Sequence, residues 1–97
     1  MQLTFEAELF PWISNPSFVF VALPTDDADA IDDAVSPTGG FGSVKVRVQL
    51  GGSAWSTSLF PSKEMETYVL PLKKAVRKAE GIDIGDTAEI TVEPVHI

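Results

Sequence analysis

The sequence predicts a small, mainly β domain: six short strands closed into a barrel, with two short helices. Three observations carry this. Apolar and polar residues alternate with a period of two over four separate runs, the signature of strands with one buried face. Turns rich in Gly and Pro separate the runs at short intervals. An open sheet of this size would leave two edges to protect, and closure removes them. The 97 residues suffice for one domain, spanning 1–97.

The first strand covers residues 3–9, with Leu3, Phe5, Ala7 and Leu9 on one face and Thr4, Glu6 and Glu8 on the other. Pro11 to Pro16 reads as a turn or bulge with Trp12 inside it. Ser17 to Leu23 is rich in Val and Phe and reads as a more fully buried strand. Pro24-Thr25-Asp26-Asp27 opens a helix. Thr25 is the expected N-cap, and the aspartates favour the positive end of the helix dipole. Ala28, Ile31 and Val35 then share a face, with Ala34 beside them.

Ser36 to Gly42 is a connector. Val44 to Leu50 alternates cleanly, and Gly51-Gly52 signals a two-residue hairpin into a return strand, Ser53 to Phe60. Residues 61–66 read as a charged loop and Thr67 to Leu70 as a short strand. Pro71 suits the first turn of a second helix, where its missing N–H costs nothing. The expected apolar face of that helix is Leu72, Ala75, Val76 and Ala79; the polar face is Lys73, Lys74, Arg77 and Lys78. Gly81 is a natural C′ residue. Gly85-Asp86 turns the chain into a last strand, Thr87 to Val95.

The net charge is −7, unevenly spread. Residues 1–43 hold seven acids and no Lys or Arg; the remainder holds seven of each, and four of those bases fall within Lys73–Lys78. An acidic chain repels phosphate backbones, which weighs against nucleic-acid binding. There is no cysteine, so disulfides and thiolate metal sites are excluded, and a reducing compartment is expected. No apolar run reaches the ~18–20 residues of a membrane span. The N-terminus lacks the basic stretch of a signal peptide. The expected location is the cytoplasm, away from membranes.

Catalytic constellations find little support. His96 is the sole histidine and lies next to last, so a Ser-His-Asp arrangement is not expected, and no His or Cys cluster offers a metal site. The aspartates of 26–33 lack the alternation and central Gly of a calcium loop; they read as a solvated helix face. Gly39, Gly40 and Gly42 precede a strand rather than the helix that a phosphate loop requires. Glu6 and Glu8 alternate on an exposed strand face, where a paired-carboxylate site is not expected. No enzyme activity, cofactor or metal is expected.

The basic helix is the best candidate for chemistry. Lys73 and Arg77 stand at i, i+4 and face the same way. Their ordinary role is to solvate the helix and complement its C-terminal dipole. The sharper role is an anion site, in which Arg77 grips a carboxylate or phosphate bidentately. Thr57 or Ser58 would add a neutral donor and Trp55 a wall, although a core role is the default for Trp55. The expected function is a non-enzymatic binding module for a small anionic ligand or a protein partner.

Five segments carry a family resemblance: Phe5-Glu6-Ala7-Glu8-Leu9, Val19 to Pro24, Gly40-Phe41-Gly42-Ser43-Val44, Trp55-Ser56-Thr57-Ser58-Leu59-Phe60-Pro61 and Tyr68 to Ala79. Over nearly its whole length the chain resembles the bacterial family known as domain of unknown function 1905. The resemblance implies a compact barrel of the double-split type and no assigned biochemistry. A second resemblance covers less than a third of the chain. Leu70-Pro71, the basic helix and Gly81-Ile82-Asp83-Ile84-Gly85-Asp86 are similar to the AbrB/MazE-like regulators and antitoxins, swapped-hairpin dimers that bind DNA. The alternative function is therefore an AbrB-like DNA-binding regulator, although residues 1–43 lack the bases of a DNA face. A salt-dependent shift with duplex DNA would separate the two readings.

Overall fold

The first alternating run does not keep one neighbour. In the computed structural model, which describes residues 1–34 and 42–95, β1 (Leu3–Glu8) pairs with β7 (Thr87–Pro94), whereas β2 (Phe10–Trp12) pairs with β3 (Asn15–Ala22). Only Leu9 lies between β1 and β2. Its N–H donates to the Asp86 carbonyl at 2.9 Å, its carbonyl accepts from Gly85 N–H at 2.9 Å, and its side chain is fully buried. The remaining strands are β4 (Val44–Leu50), β5 (Ser53–Ser62) and β6 (Thr67–Pro71). Among the described residues the order is β1-β7-β4-β5-β6-β3-β2, antiparallel at every join. The two edge strands are thus consecutive in the chain, and the sheet curls into a small barrel-like half-cylinder. A second corner lies in β5. Its residues 53–59 pair with β4 and its residues 60–62 with β6.

Phe10 to Trp12 corrects the expectation of a turn over Pro11 to Pro16. Pro11 is tolerated because an edge strand loses no ladder bond where the N–H is missing. The turn shrinks to Ile13-Ser14, and a register shift between Pro11 and Trp12 keeps part of the expected bulge. Asn15 fixes the start of β3: its Oδ1 accepts from Ser17 N–H at 3.1 Å and from Ser17 Oγ at 2.5 Å.

The period-two reading holds best in β4 and β7. Val44, Val46, Val48 and Leu50 are buried and the residues between them exposed; Ala88, Ile90, Val92 and Pro94 are buried likewise. Each Leu, Ile or Val removed from water contributes about 1.5–3 kcal/mol. The hairpin across Gly51-Gly52 pairs Leu50 with Ser53 and runs in register to Val44 with Leu59. Gly51 sits at φ +58°, and a Cβ there would land on the Glu80 carboxylate. Glu80 accepts from Gly52 N–H at 3.3 Å and from Ser53 Oγ at 2.6 Å. This straps α2 (Lys74–Glu80) to the hairpin.

The helix α1 (Thr25–Ala34) starts one residue earlier than capping chemistry suggests. The Pro24 carbonyl accepts from Ala28 N–H at 3.0 Å, so Pro24 holds the cap position and Thr25 the first turn. Ala28 and Ile31 are buried as expected; Val35 lies outside the described residues. Tyr68 Oη donates to Asp32 Oδ1 at 2.5 Å and ties α1 to β6.

The second helix differs more. Pro71 does not open it: β6 runs through Pro71, opposite Phe20, and Leu72 N–H still bonds to the Val19 carbonyl at 2.9 Å. Ladder bonds keep the chain extended until Lys73, which caps α2 at φ −64°, ψ 150°. At the other end Gly81 adopts φ +68°, with Ile82 N–H to the Arg77 carbonyl at 3.0 Å and Gly81 N–H to the Lys78 carbonyl at 3.4 Å. This is a Schellman motif. The buried face is rotated from the expected one. Leu72 is buried, Val76 is half-buried, and Ala75 and Ala79 are exposed. Arg77 and Glu80 turn inward instead, because polar bonds rather than an apolar stripe seat this short helix.

Two outcomes test this architecture. Leu9→Ala should cost about 2–5 kcal/mol by urea unfolding, because a fully buried side chain leaves a cavity. Tyr68 is the sole tyrosine. Burial, aided by the bond to Asp32 and its charge, pushes its hydroxyl up to about 12. Folding stability should therefore hold up to pH 10, the ordinary tyrosine value, and fall between there and about 12. Ultraviolet titration of the phenolate should give a midpoint near 12 in the native protein, and Asp32→Asn should lower it.

Candidate functional site

The outward faces of the sheet differ in kind. Where β1, β7 and β4 pair, the outward side chains include Glu6, Glu8, Glu89, Lys45, Arg47 and Gln49. Where β6, β3 and β2 pair, they are aromatic and apolar. Phe20 stands opposite both Phe10 and Pro71. Its ring centroid lies 6.4 Å from that of Phe10 and 5.2 Å from that of Trp12. Around this trio, Phe18 is 58% exposed and Ile13, in the hairpin turn, 92%; Phe60 and Met65 are also exposed. Large apolar side chains gathered in this way mark interaction surfaces. The sequence reading missed the face because β3 is apolar on both sides. Val19 and Val21 fill the core while Phe18 and Phe20 point out, so the run looks wholly buried. The signal was Phe at both outward positions in a chain with only six.

At one side of the trio lies a groove of about 370 Å³ between β3 and the start of α2. Phe18, Phe20 and Leu72 supply apolar walls; Lys73, Lys74 and Arg77 supply the charge. The structure therefore brings Lys73 and Arg77 to one place, as their spacing suggests. It does not bring Trp55, Thr57 or Ser58 there. Trp55 is half-buried and packs against the core, and its Nε1 is buried with no partner among the described residues. Thr57 shares the inward side with buried Leu59. Ser58 lies on the other face of β5, opposite Lys45.

Arg77 has a prior commitment. Its side chain is 14% exposed; Nε donates to the Leu72 carbonyl at 3.2 Å and Nη1 to Asp83 Oδ1 at 3.1 Å. The Ile84 N–H bond, then the Arg77 guanidinium, hold the Asp83 carboxyl below its usual range. Its contribution to stability is present above the ordinary carboxylate range and lost as pH falls through the lowered value. With two donors spent on its own chain, Arg77 is fixed at the groove wall. Lys73 and Lys74, both exposed, are the cations that can reach outward. Among the described residues no cluster of His, Cys, Asp or Glu could hold a metal ion, and no helix is long and apolar enough to cross a membrane.

The elements that build this face, β3, β6 and α2, all fall within residues 5–92, which match the family described as a domain of unknown function (DUF1905). The chain belongs to this family. No curated protein matches the sequence. In this DUF1905 member the resemblance read from Tyr68 to Ala79 corresponds to β6 and α2, the groove wall, and that from Val19 to Pro24 to the strand opposite it.

Arg77→Lys separates the two roles of this residue. Lysine cannot serve the Leu72 carbonyl and Asp83 together. Leaving that carbonyl unpaired should cost about 1 kcal/mol of stability in urea unfolding. Ligand affinity measured on the folded variant should stay within about twofold of wild type, a difference below 0.5 kcal/mol.

Proposed function

We propose that this chain is a non-enzymatic binding module whose site is the groove between β3 and α2. Its ligand is an amphipathic anion, either a small molecule or an exposed segment of a protein partner, with an apolar body and a carboxylate at one end. The observation that supports this is the division of labour in the groove: Phe18, Phe20 and Leu72 form the walls, and the exposed cations Lys73 and Lys74 form the rim. A phosphate or nucleotide would call for a donor-rich cradle or a bidentate Arg. Here Arg77 is mostly buried and held by the Leu72 carbonyl and Asp83, and α2 has seven residues with no side-chain cap. The DNA-binding alternative gains no support from the fold or the family match, and the sheet face carrying Glu6, Glu8 and Glu89 opposes it. A cytoplasmic location suits a chain without cysteine.

Exposed lysines contribute at most about 1 kcal/mol each, so apolar burial must dominate affinity. Calorimetric titration should show alkyl carboxylates tightening about fourfold per added methylene, at ~0.8 kcal/mol each, until the groove is filled. Inorganic phosphate and nucleotides should bind more weakly than the longer carboxylates. The Lys73→Ala/Lys74→Ala variant should lose about tenfold in affinity. Phosphate binding as tightly as the longest carboxylate would overturn the reading, as would a double variant with unchanged affinity.

A further inference from the structure

We infer that the partner this face receives is a second copy of the same chain, docked about a twofold axis through the Phe10–Phe20–Trp12 cluster. This rests on the binding-module reading and names its occupant. A second groove, of about 470 Å³, lies between the β2–β3 hairpin and the β5–β6 turn. Phe10, Trp12, Ile13 and Met65 line it, and its one charged residue is Glu64. The two grooves share no lining residue. They meet at Phe20, which walls the first and lies tilted against the rings of Phe10 and Trp12 of the second.

This arrangement is self-complementary. The lysine groove and the Glu64 groove flank one aromatic cluster and carry opposite charge. Rotation by half a turn about the cluster lays the Lys73–Lys74 rim of each copy against Glu64 of the other. Each contact then forms twice, which is the property of an isologous interface. The shape agrees with the charge. Ile13 projects from a two-residue turn, 92% exposed, beside a concave apolar surface that the other copy also offers. The centre is aromatic and the charges lie at the rim, as in stable interfaces generally. A Glu64 carboxylate beside apolar Met65 also has the chemistry assigned to the ligand of the lysine groove.

Sedimentation velocity over a concentration series tests this with the whole chain. Wild type should sediment at twice its 10.5 kDa mass at micromolar concentrations. Lys73→Glu/Lys74→Glu should weaken association at least about tenfold. It should remain folded, because acids at the start of α2 favour the helix dipole. Adding Glu64→Lys to that variant should restore the dimer. Ile13→Ser, at an exposed turn position, should weaken association without loss of thermal stability in the monomer. A monomer at all concentrations up to about 1 mM would overturn the inference, as would a dimer of unchanged strength in either variant. Alkyl carboxylate binding separates the two levels. A wild-type monomer that binds the carboxylates refutes the dimer and leaves the binding module standing with a foreign partner. A monomer that binds none refutes both. A dimer that the longer carboxylates dissociate supports both.

Discussion

Leu9 is the residue on which the curl of the sheet depends. Its two backbone groups are held by Gly85 and Asp86, and its side chain fills the core between the paired strands. That turn is itself held from both sides: Asp83 N–H donates to Asp86 Oδ2 at 2.9 Å, and Arg77 binds Asp83. A continuous set of bonds therefore runs from the groove, through Arg77, Asp83 and Asp86, to the point where the two ends of the sheet meet. The arginine that most resembles a ligand hook is a strut of the fold, and the lysines beside it stay exposed.

The same economy explains why one molecule has two unlike faces. A barrel this small needs only one side of each strand for its core. On β1, β7 and β4 the other side is given to charge. On β3 and β2 it is given to aromatic rings. Nothing in folding demands this: the core is complete with Val19 and Val21, and Phe18 and Phe20 add nothing to it.

Alternation made the frame legible. The pairing of β4 with β5 across Gly51-Gly52, the buried positions of β7 and the C′ role of Gly81 all follow from local pattern. The split at Leu9 did not, because changing neighbours leaves no trace in a period of two. The start of α2 was misplaced because Pro71 suits a strand end as well as a first helical turn, and a long-range bond from Leu72 to Val19 decided between them. Its buried face was misassigned because Glu80 has its partners far away in the chain, at Gly52 and Ser53, and Arg77 turns back onto the Leu72 carbonyl and Asp83. Spacing brought Lys73 and Arg77 together; it could not place Trp55, Thr57 and Ser58, since strand alternation gives a face and not a neighbour across the barrel.

The bonds from Asn15 to Ser17 bear on how far association can proceed. Residues 15–18 of β3 extend beyond the reach of β6, which pairs only with Phe20 to Ala22. An extended strand with open N–H groups next to aromatic rings is a template for adding further chains without limit. Asn15 closes that route by occupying the Ser17 amide with its own side chain. Contact through this surface is thereby confined to side chains. A surface read by side chains demands a mate of matching shape, whereas open strand backbone accepts any extended chain.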